Sequence, residues 1–263
     1  MDLLGIYVVS LKESSSRRVN LKKQFPEFYP YMNIVDAING CELDVSFYFK
    51  EMTKIKKKYD RILSPNELAC TLSHVHVLKK FLKTNNKYAL ILEDDVIGED
   101  AGIYELTKIL KTIDLNGVLL CGGQEGLPAD WYKFRYGAKC GANHENLFIV
   151  DPYSIKFYAR SVCYVINRDF ALSYIEKNSS IIFLADDWQE YLNSKKYKFY
   201  FKKIFSHPVD NHTSTIEKQR LLVGNNSTKG FNMYNGFVKK FFNKINNIFH
   251  LGVFKLKGLE NIK

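Results

Sequence analysis

Residues 64–96 read SPNELACTLSHVHVLKKFLKTNNKYALILEDDV: a helical pattern, a polar turn, then an apolar run that ends in three carboxylates. Ser64 is a helix-capping residue type, and Pro65 stands where a missing N–H costs nothing. Glu67, three residues after Ser64, completes a capping box. Leu68, Leu72, Val75, Leu78 and Leu82 fall on one stripe of a helix expected to run to Lys83. Asn85 and Asn86 supply the turn, and the strand from Tyr88 then meets Glu93, Asp94 and Asp95.

The same alternation extends in both directions. Ile6–Val9 is a β-branched run that fits a buried strand, and Ser14, Ser15 and Ser16 after it can cap a helix carrying Arg17 and Arg18. MNIVDAINGCEL (32–43) is a second apolar run, ending at Asp36, with Asn39-Gly40 as a turn. YFKEMTKIKKKYDR (48–61) is a basic insertion, helix or loop. Beyond the acidic run, 97–114 reads as a helix and GVLLCGG (117–123) as a buried strand. Residues 161–178 read as a strand running into a helix, IIFLADDWQEYLNS (181–194) as an apolar run meeting two aspartates and a helix, and 197–205 as a late strand. This is an α/β pattern, with a sheet largely parallel in its first half. In such sheets ligands bind beyond the carboxyl ends of the strands, which places Ser10, Asp36, Glu93 to Asp95, Gly122 and Gly123 on the working edge.

The 263 residues are 46% hydrophobic and 25% charged, with a net charge of +10, as expected of a folded protein. The first residues, MDLLGIYVVS, lack a basic start and are expected to form a strand, not a signal peptide. No run reaches the roughly 20 apolar residues that span a bilayer. A cytoplasmic location, possible at a membrane surface, is expected. Five cysteines, widely spaced and without a CxxC pair, fit free thiols better than disulfides or structural zinc. The basicity gathers in 229–263, where seven lysines face one glutamate. Domains are therefore expected at 1–228 for catalysis and 229–263 for a basic aromatic tail. In the tail, Phe237, Val238, Phe241, Ile245, Ile248 and Phe249 form one helical stripe, suited either to an anionic lipid surface or to packing on the domain. The chain has 31 lysines, only seven arginines and no base-reading module, so nucleic acid is not an expected partner.

Three neighbouring carboxylates repel one another unless a cation neutralises them, and oxygen ligands with open positions suit Mg²⁺ or Mn²⁺. The bare motif also reads as a solvated loop or as a cap for the next helix. If the strand persists, Glu93 and Asp95 share a face and Asp94 takes the other. On the capped helix Glu67, Thr71 and His74 share a stripe beside the apolar one, either as a polar site or as a cap and a half-buried histidine. His76 points elsewhere.

Taken in order, IYVVSLKESSSRR, DAING, LSPNELACTLSH and ALILEDDV resemble glycosyltransferase family 25, the lipooligosaccharide glycosyltransferases. CYVINR and ADDW resemble later family elements, so the likeness covers residues 4 to 216. Ser10 replaces the usual asparagine, Asn66 and Ala69 replace glycines flanking Glu67, and Arg160-Ser161 stands where Gly-Thr is usual. The resemblance implies a GT-A-type, Rossmann-like fold with a central, mostly parallel sheet flanked by helices. It implies inverting transfer from a UDP-sugar, UDP-galactose first, to a lipooligosaccharide acceptor, with Mn²⁺ or Mg²⁺. UDP-GlcNAc and UDP-glucose are the alternative donors, and a metal-dependent phosphoesterase or nuclease is the rival enzyme.

On that reading Glu93 and Asp95 hold the metal, with His207 or His212 completing the metal or diphosphate site, and Asp94 contacts the donor. Ser10, Arg17, Asp36, Glu67, and the Ser73-His74 pair belong to the donor site, and Gly122-Gly123 let backbone approach the donor sugar or simply turn. Asp187, with Asp186 as fallback, is the base that takes the acceptor proton, although Asp187 with Glu190 also spells a capping box. Trp188 either stacks on a sugar ring or packs in the core.

Overall fold

The computed structural model of the chain describes residues 3–59, 61–141, 144–193, 196–209 and 246–262. Its strands are β1 (Leu4–Ser10), β2 (Met32–Asp36), β3 (Tyr88–Glu93), β4 (Gly117–Gly122), β5 (Tyr136–Lys139), β6 (Phe148–Val150), β7 (Cys163–Asn167), β8 (Lys198–Phe205) and β9 (Glu260–Asn261). Its helices are α1 (Ser15–Gln24), α2 (Val45–Tyr59), α3 (Pro65–Leu82), α4 (Asp100–Thr112), α5 (Ala129–Tyr132), α6 (Arg168–Ser180), α7 (Trp188–Tyr191) and α8 (246–256). The strands form one sheet in the order β2-β1-β3-β7-β4-β8-β6-β5-β9.

Alternation along each strand divides the core in two. Tyr7, Val9, Ala89, Ile91, Val118, Leu120, Tyr164 and Ile166 face α3, α6 and α7. Ile6, Val8, Leu90, Leu92, Leu119, Cys121, Cys163 and Val165 face α1 and α4. Both faces are covered, which is why these strands read as unbroken apolar runs. The chain steps from β1 out to β2 and back past β1 to β3, and right-handed crossovers then put α1 and α3 on opposite faces.

The expected α/β arrangement of a helix-flanked sheet forms, with β7 reversed inside it and β6 and β9 reversed toward its far edge. Strands β2, β1, β3, β4 and β8 run one way, while β7 lies antiparallel between β3 and β4. A reversed strand has the same doubly buried composition as its neighbours, so residue type alone does not show it. The shared direction of β1 to β4 puts Ser10, Asp36, Glu93 and Gly122 at one edge, as expected. The carboxyl ends of β1 and β3 are in register, Val9 opposite Glu93.

Helix α3 starts as read. Ser64 accepts from the Glu67 backbone N–H, and the Glu67 carboxylate accepts from Ser64 N–H at 2.8 Å. The buried stripe is displaced, however. Val77, Leu78 and Phe81 are buried with Leu68, while Leu72, Val75 and Leu82 are only partly buried. The helix is wedged between sheet, α6 and the α2 region, so polar positions Thr71, Ser73 and His74 are buried too. Glu67 also takes two N–H bonds from Arg61, at 2.8 and 3.0 Å. Glu67→Ala is expected to destabilise the fold by about 2 kcal/mol, since it removes a cap and strands a buried Ser64 N–H. Denaturant unfolding measures this, and Glu67→Gln should recover part of the loss.

Residues 48–59 of the basic insertion form the greater part of α2, with Met52 and Ile55 packed on Leu63, Leu68 and Ile182. Strands β5, β6 and β9 are too short to carry a period-two signal. The chain returns to the sheet at its end. In α8 Phe254 is fully buried against Tyr136, with ring centroids 4.6 Å apart, and His250 stacks on Tyr153 at 3.5 Å. Gly258, at φ +63, ends the helix in a left-handed turn with Leu259 N–H on Phe254 O, and β9 then pairs with β5. Of the stripe read in the tail, Ile248 and Phe249 are exposed, and Phe237, Val238, Phe241 and Ile245 lie outside the described residues. Among the described residues, no helix is long and apolar enough to cross a membrane.

Candidate active site

Strand β3 ends at Glu93, and a turn carries Asp94 and Asp95, closed by Val96 N–H on Glu93 O at 3.2 Å. Alternation therefore stops at Glu93. Instead of Asp94 facing away, Arg17 from α1 gathers both aspartates, at 2.8 Å to Asp94 Oδ1 and 3.2 Å to Asp95 Oδ2. Arg17, expected in the donor site, lines the adjoining cavity and is also the counter-charge of the acidic turn. Burial opposes its charge, but the bond to Asp94 prevails and raises its pKa.

Glu93 is held from the other side. Its Oε1 accepts from the Ser161 hydroxyl at 2.9 Å and lies 3.3 Å from His74 Nε2, while His74 Nδ1 lies 3.0 Å from Tyr164 OH. Burial pushes the Glu93 pKa up, but the bond from His74, its charge and the Ser161 bond prevail, and the net shift is downward. Glu93 is thus an anion at neutral pH.

Asp95 is the exception. Burial foremost, then the charge of Glu93, lifts its pKa from 3.8 to about 7, against the pull of Arg17. Its Oδ1 is buried with no hydrogen-bond partner. A buried carboxylate oxygen without a donor is costly unless a cation meets it. With anionic Glu93 beside it, this all-oxygen pair fits a hard divalent ion such as Mg²⁺ or Mn²⁺. Without metal, folded Asp95 keeps a proton that the unfolded chain has lost between about pH 4 and 7, so stability is expected to fall as pH rises through that window. Added Mn²⁺ should raise the thermal midpoint more at about pH 8 than at about pH 6, because the cation replaces that proton. Thermal melts at both pH values check the sign.

His207, from the segment after β8, reaches the same turn, with Nε2 3.8 Å from Asp95 Oδ2. Arg160 lies 3.3 Å from His207 Nδ1, and a guanidinium only donates. Nδ1 is then the acceptor, and the neutral ring carries its proton on Nε2, toward Asp95. Burial, then the charge of Arg160, lowers the His207 pKa and keeps the ring neutral. In this tautomer His207 is placed to donate to an anion at the acidic turn. His212 lies outside the described residues.

Arg160 itself is held in the left-handed region, at φ +66, where a side chain costs about 1–2 kcal/mol. ADDW supplies the restraint. Asp186 Oδ2 accepts from Arg160 N–H at 2.7 Å, and the Trp188 indole donates to Arg160 O at 3.2 Å. That clamp presents Ser161 to Glu93. Trp188 is a core residue, buried against Tyr164 and Phe199. Asp187 caps α7, accepting from Glu190 N–H, and its Oδ2 accepts from Tyr59 OH at 2.7 Å. Asp186 is the aspartate that lies toward Glu93 and Cys70, whose thiol is raised by burial first and then by those two carboxylates.

A cavity of about 560 Å³ opens beside the acidic turn, between the ends of β1 and β2 and the face of α3. Arg17, His74, Glu93 and Asp94 form its charged wall, and Val9, Leu11 and Ile38 its apolar one. Ser73 lines it as well, donating to Ala69 O and accepting from Ile38 N–H. Other expected contacts serve the frame. Ser10 accepts from Arg18, Glu67 caps α3, and Asp36 points outward to Lys12, 3.9 Å away. Gly122, at φ +130, would drive a Cβ to 1.9 Å from Phe205 O, so its role is close packing of β4 on β8.

Sequence reading missed Asn39, Asn66 and Cys70 in the cavity wall, and Ser161 and Tyr164 behind Glu93. Cys70 was within reach of it, one helical turn before His74. Cys70, His74 and Glu93 bring a thiol, an imidazole and a carboxylate within 4.8 Å. The raised thiol stays protonated and disfavours a soft metal there.

Residues 3–189 match glycosyltransferase family 25, described as an LPS biosynthesis protein. The chain is 28% identical over 114 residues to mouse (Mus musculus) procollagen galactosyltransferase 2, covering 41% of this chain and 18% of that protein. It is 25% identical over 138 residues to procollagen galactosyltransferase 1-A of Xenopus laevis, covering 49% and 23%. The matched segments thus span less than a quarter of these curated relatives. Among solved structures, S. aureus TarS 1-349 in complex with UDP-GlcNAc aligns over 82% of this chain and 61% of its own, at 15% identity and a TM-score of 0.38.

Proposed function

The chain belongs to glycosyltransferase family 25, and from that premise we propose that it transfers galactose from UDP-galactose to a terminal sugar of a bacterial lipooligosaccharide, with inversion and most simply in β-1,4 linkage. The observation that carries this reading is the convergence of a donor-sized cavity, an acidic turn and an orphaned Asp95 oxygen on one sheet edge. The nucleoside enters the cavity, and its diphosphate lies toward Glu93, Asp95 and His207. A divalent ion held by Glu93 and Asp95 would supply Lewis-acid stabilisation to the departing diphosphate. His207 Nε2–H donates to the same developing charge, and Arg17 keeps the acidic turn compensated.

Direct displacement at the anomeric carbon needs a group to take the acceptor proton as the hydroxyl attacks. Asp186 takes this role ahead of Asp187, because its carboxylate acts on Cys70 in the cavity wall, while Asp187 serves the α7 cap and the Tyr59 bond. The acceptor is lipid-anchored, and the protein works on the cytoplasmic side of the inner membrane.

The test is UDP release with UDP-galactose, UDP-glucose and UDP-GlcNAc, each against short saccharide acceptors with Mn²⁺. Transfer from UDP-galactose at least tenfold above the others supports the donor. A preference for another UDP-sugar replaces galactose, and phosphate-ester hydrolysis without an acceptor overturns the transferase reading.

A further inference from the structure

Helix α8 has two unlike faces. Asn247, His250 and Phe254 form the inner one, fixed on Tyr153 and Tyr136 by a hydrogen bond from Tyr153 OH to Asn247 Oδ1 at 2.6 Å, a stacked ring pair and a fully buried phenyl. Opposite Phe254, at i, i+4 and i+8 spacing, stand Ile248, Gly252 and Leu256, with Phe249 beside them. Ile248 is 59%, Phe249 65% and Leu256 90% exposed, and a Cβ on Gly252 would meet nothing within 4 Å. The left-handed turn at Gly258 and the pairing of β9 with β5 hold both faces in place, so the apolar face does not roll inward.

Two occupants suit an exposed apolar helix face, another apolar protein surface or a bilayer, and charge separates them. Lys255 flanks the apolar row, and the sequence 229–263, most of whose lysines lie outside the described residues, carries seven lysines against one glutamate. Such an excess disfavours a second copy of the same surface and favours an anionic lipid surface, where each nearby lysine adds to the attraction. We propose that the outer face of α8, through Ile248, Phe249 and Leu256 with Lys255 at its flank, docks the protein on a membrane containing anionic phospholipid. The proposal rests on this helix and its charge and stands apart from the transferase reading. The face belongs to the β5–β9 edge, and the donor cavity to the β1–β3 end of the sheet. Docking therefore leaves the donor cavity unblocked.

The full-length chain is sedimented with vesicles of phosphatidylcholine alone or mixed with phosphatidylglycerol, beside the triple variant Ile248→Ser, Phe249→Ser, Leu256→Ser. All three side chains are exposed, so the variant should fold, and turnover on a short soluble acceptor should be unchanged. The expected result is binding at least tenfold stronger to the anionic vesicles, lost tenfold or more in the triple variant. Equal binding by variant and wild type, or no preference for anionic vesicles, overturns it. So does a wild-type dimer in solution that the triple variant converts to monomer, which would make this face an interface between copies.

Discussion

Asp95→Asn is expected to lower kcat for sugar transfer by about 10²–10³-fold while leaving the fold intact. The isosteric amide keeps the shape of the turn but removes the one charge that has no protein donor on its buried oxygen. It also removes the unfavourable ionisation that burial and Glu93 impose on Asp95. The metal-free variant should therefore be no less stable than wild type at neutral pH, even as transfer is lost. Steady-state kinetics at saturating Mn²⁺ together with a thermal melt check both halves. A loss of activity with a matching loss of stability would point to misfolding and away from a metal role.

Asp186→Asn should lower kcat by about 10²–10⁴-fold, the range associated with loss of a general base, with little change in UDP affinity. Asp187→Asn should instead cost about 1 kcal/mol of stability, because its amide oxygen still caps α7 but its NH2 cannot accept the Tyr59 hydroxyl. Its kcat should stay within about tenfold of wild type, a size expected of an indirect effect. The Asp186 variant retains an acceptor for Arg160 N–H in its amide oxygen, so the left-handed turn at Arg160 should survive. Kinetics of both variants, with UDP binding measured separately, distinguish the two aspartates. If Asp187→Asn is the one that abolishes kcat, the roles are exchanged.

The frame of this molecule was legible because its signals are local. The Ser64–Glu67 capping box, the doubly apolar strands and the acids at the end of β3 each follow from residues within one turn or one strand. The reversal of β7 was not, since strand direction depends on a connection and not on composition. The short strands β5, β6 and β9 had no period to read. In the site, Glu93, Asp94, Asp95, Arg17, His74 and His207 do come together, while Glu67, Ser10 and Gly122 are engaged in the frame around them and Asp36 faces outward. What sequence could not express is the path between distant segments. Asp186 and Trp188 restrain Arg160, Arg160 sets the proton of His207, and Ser161 donates to Glu93. Each of those contacts joins residues at least 26 positions apart in the chain.

Asp187 illustrates the same limit. Its sequence spells both a base and a cap, and the structure shows the capping bond from Glu190 N–H. Arg160 gave no sign by composition that it occupies a left-handed position, which only its φ of +66 shows.

The central claim is that Glu93 and Asp95 form a divalent-ion site serving the donor diphosphate. Titration of UDP into the wild-type protein and into Asp95→Asn, each with Mn²⁺ and with EDTA, tests it most directly. The account predicts that Mn²⁺ tightens UDP binding by at least tenfold in the wild type and by no measurable factor in the variant. Equal UDP affinity with Mn²⁺ and with EDTA in the wild type would contradict it.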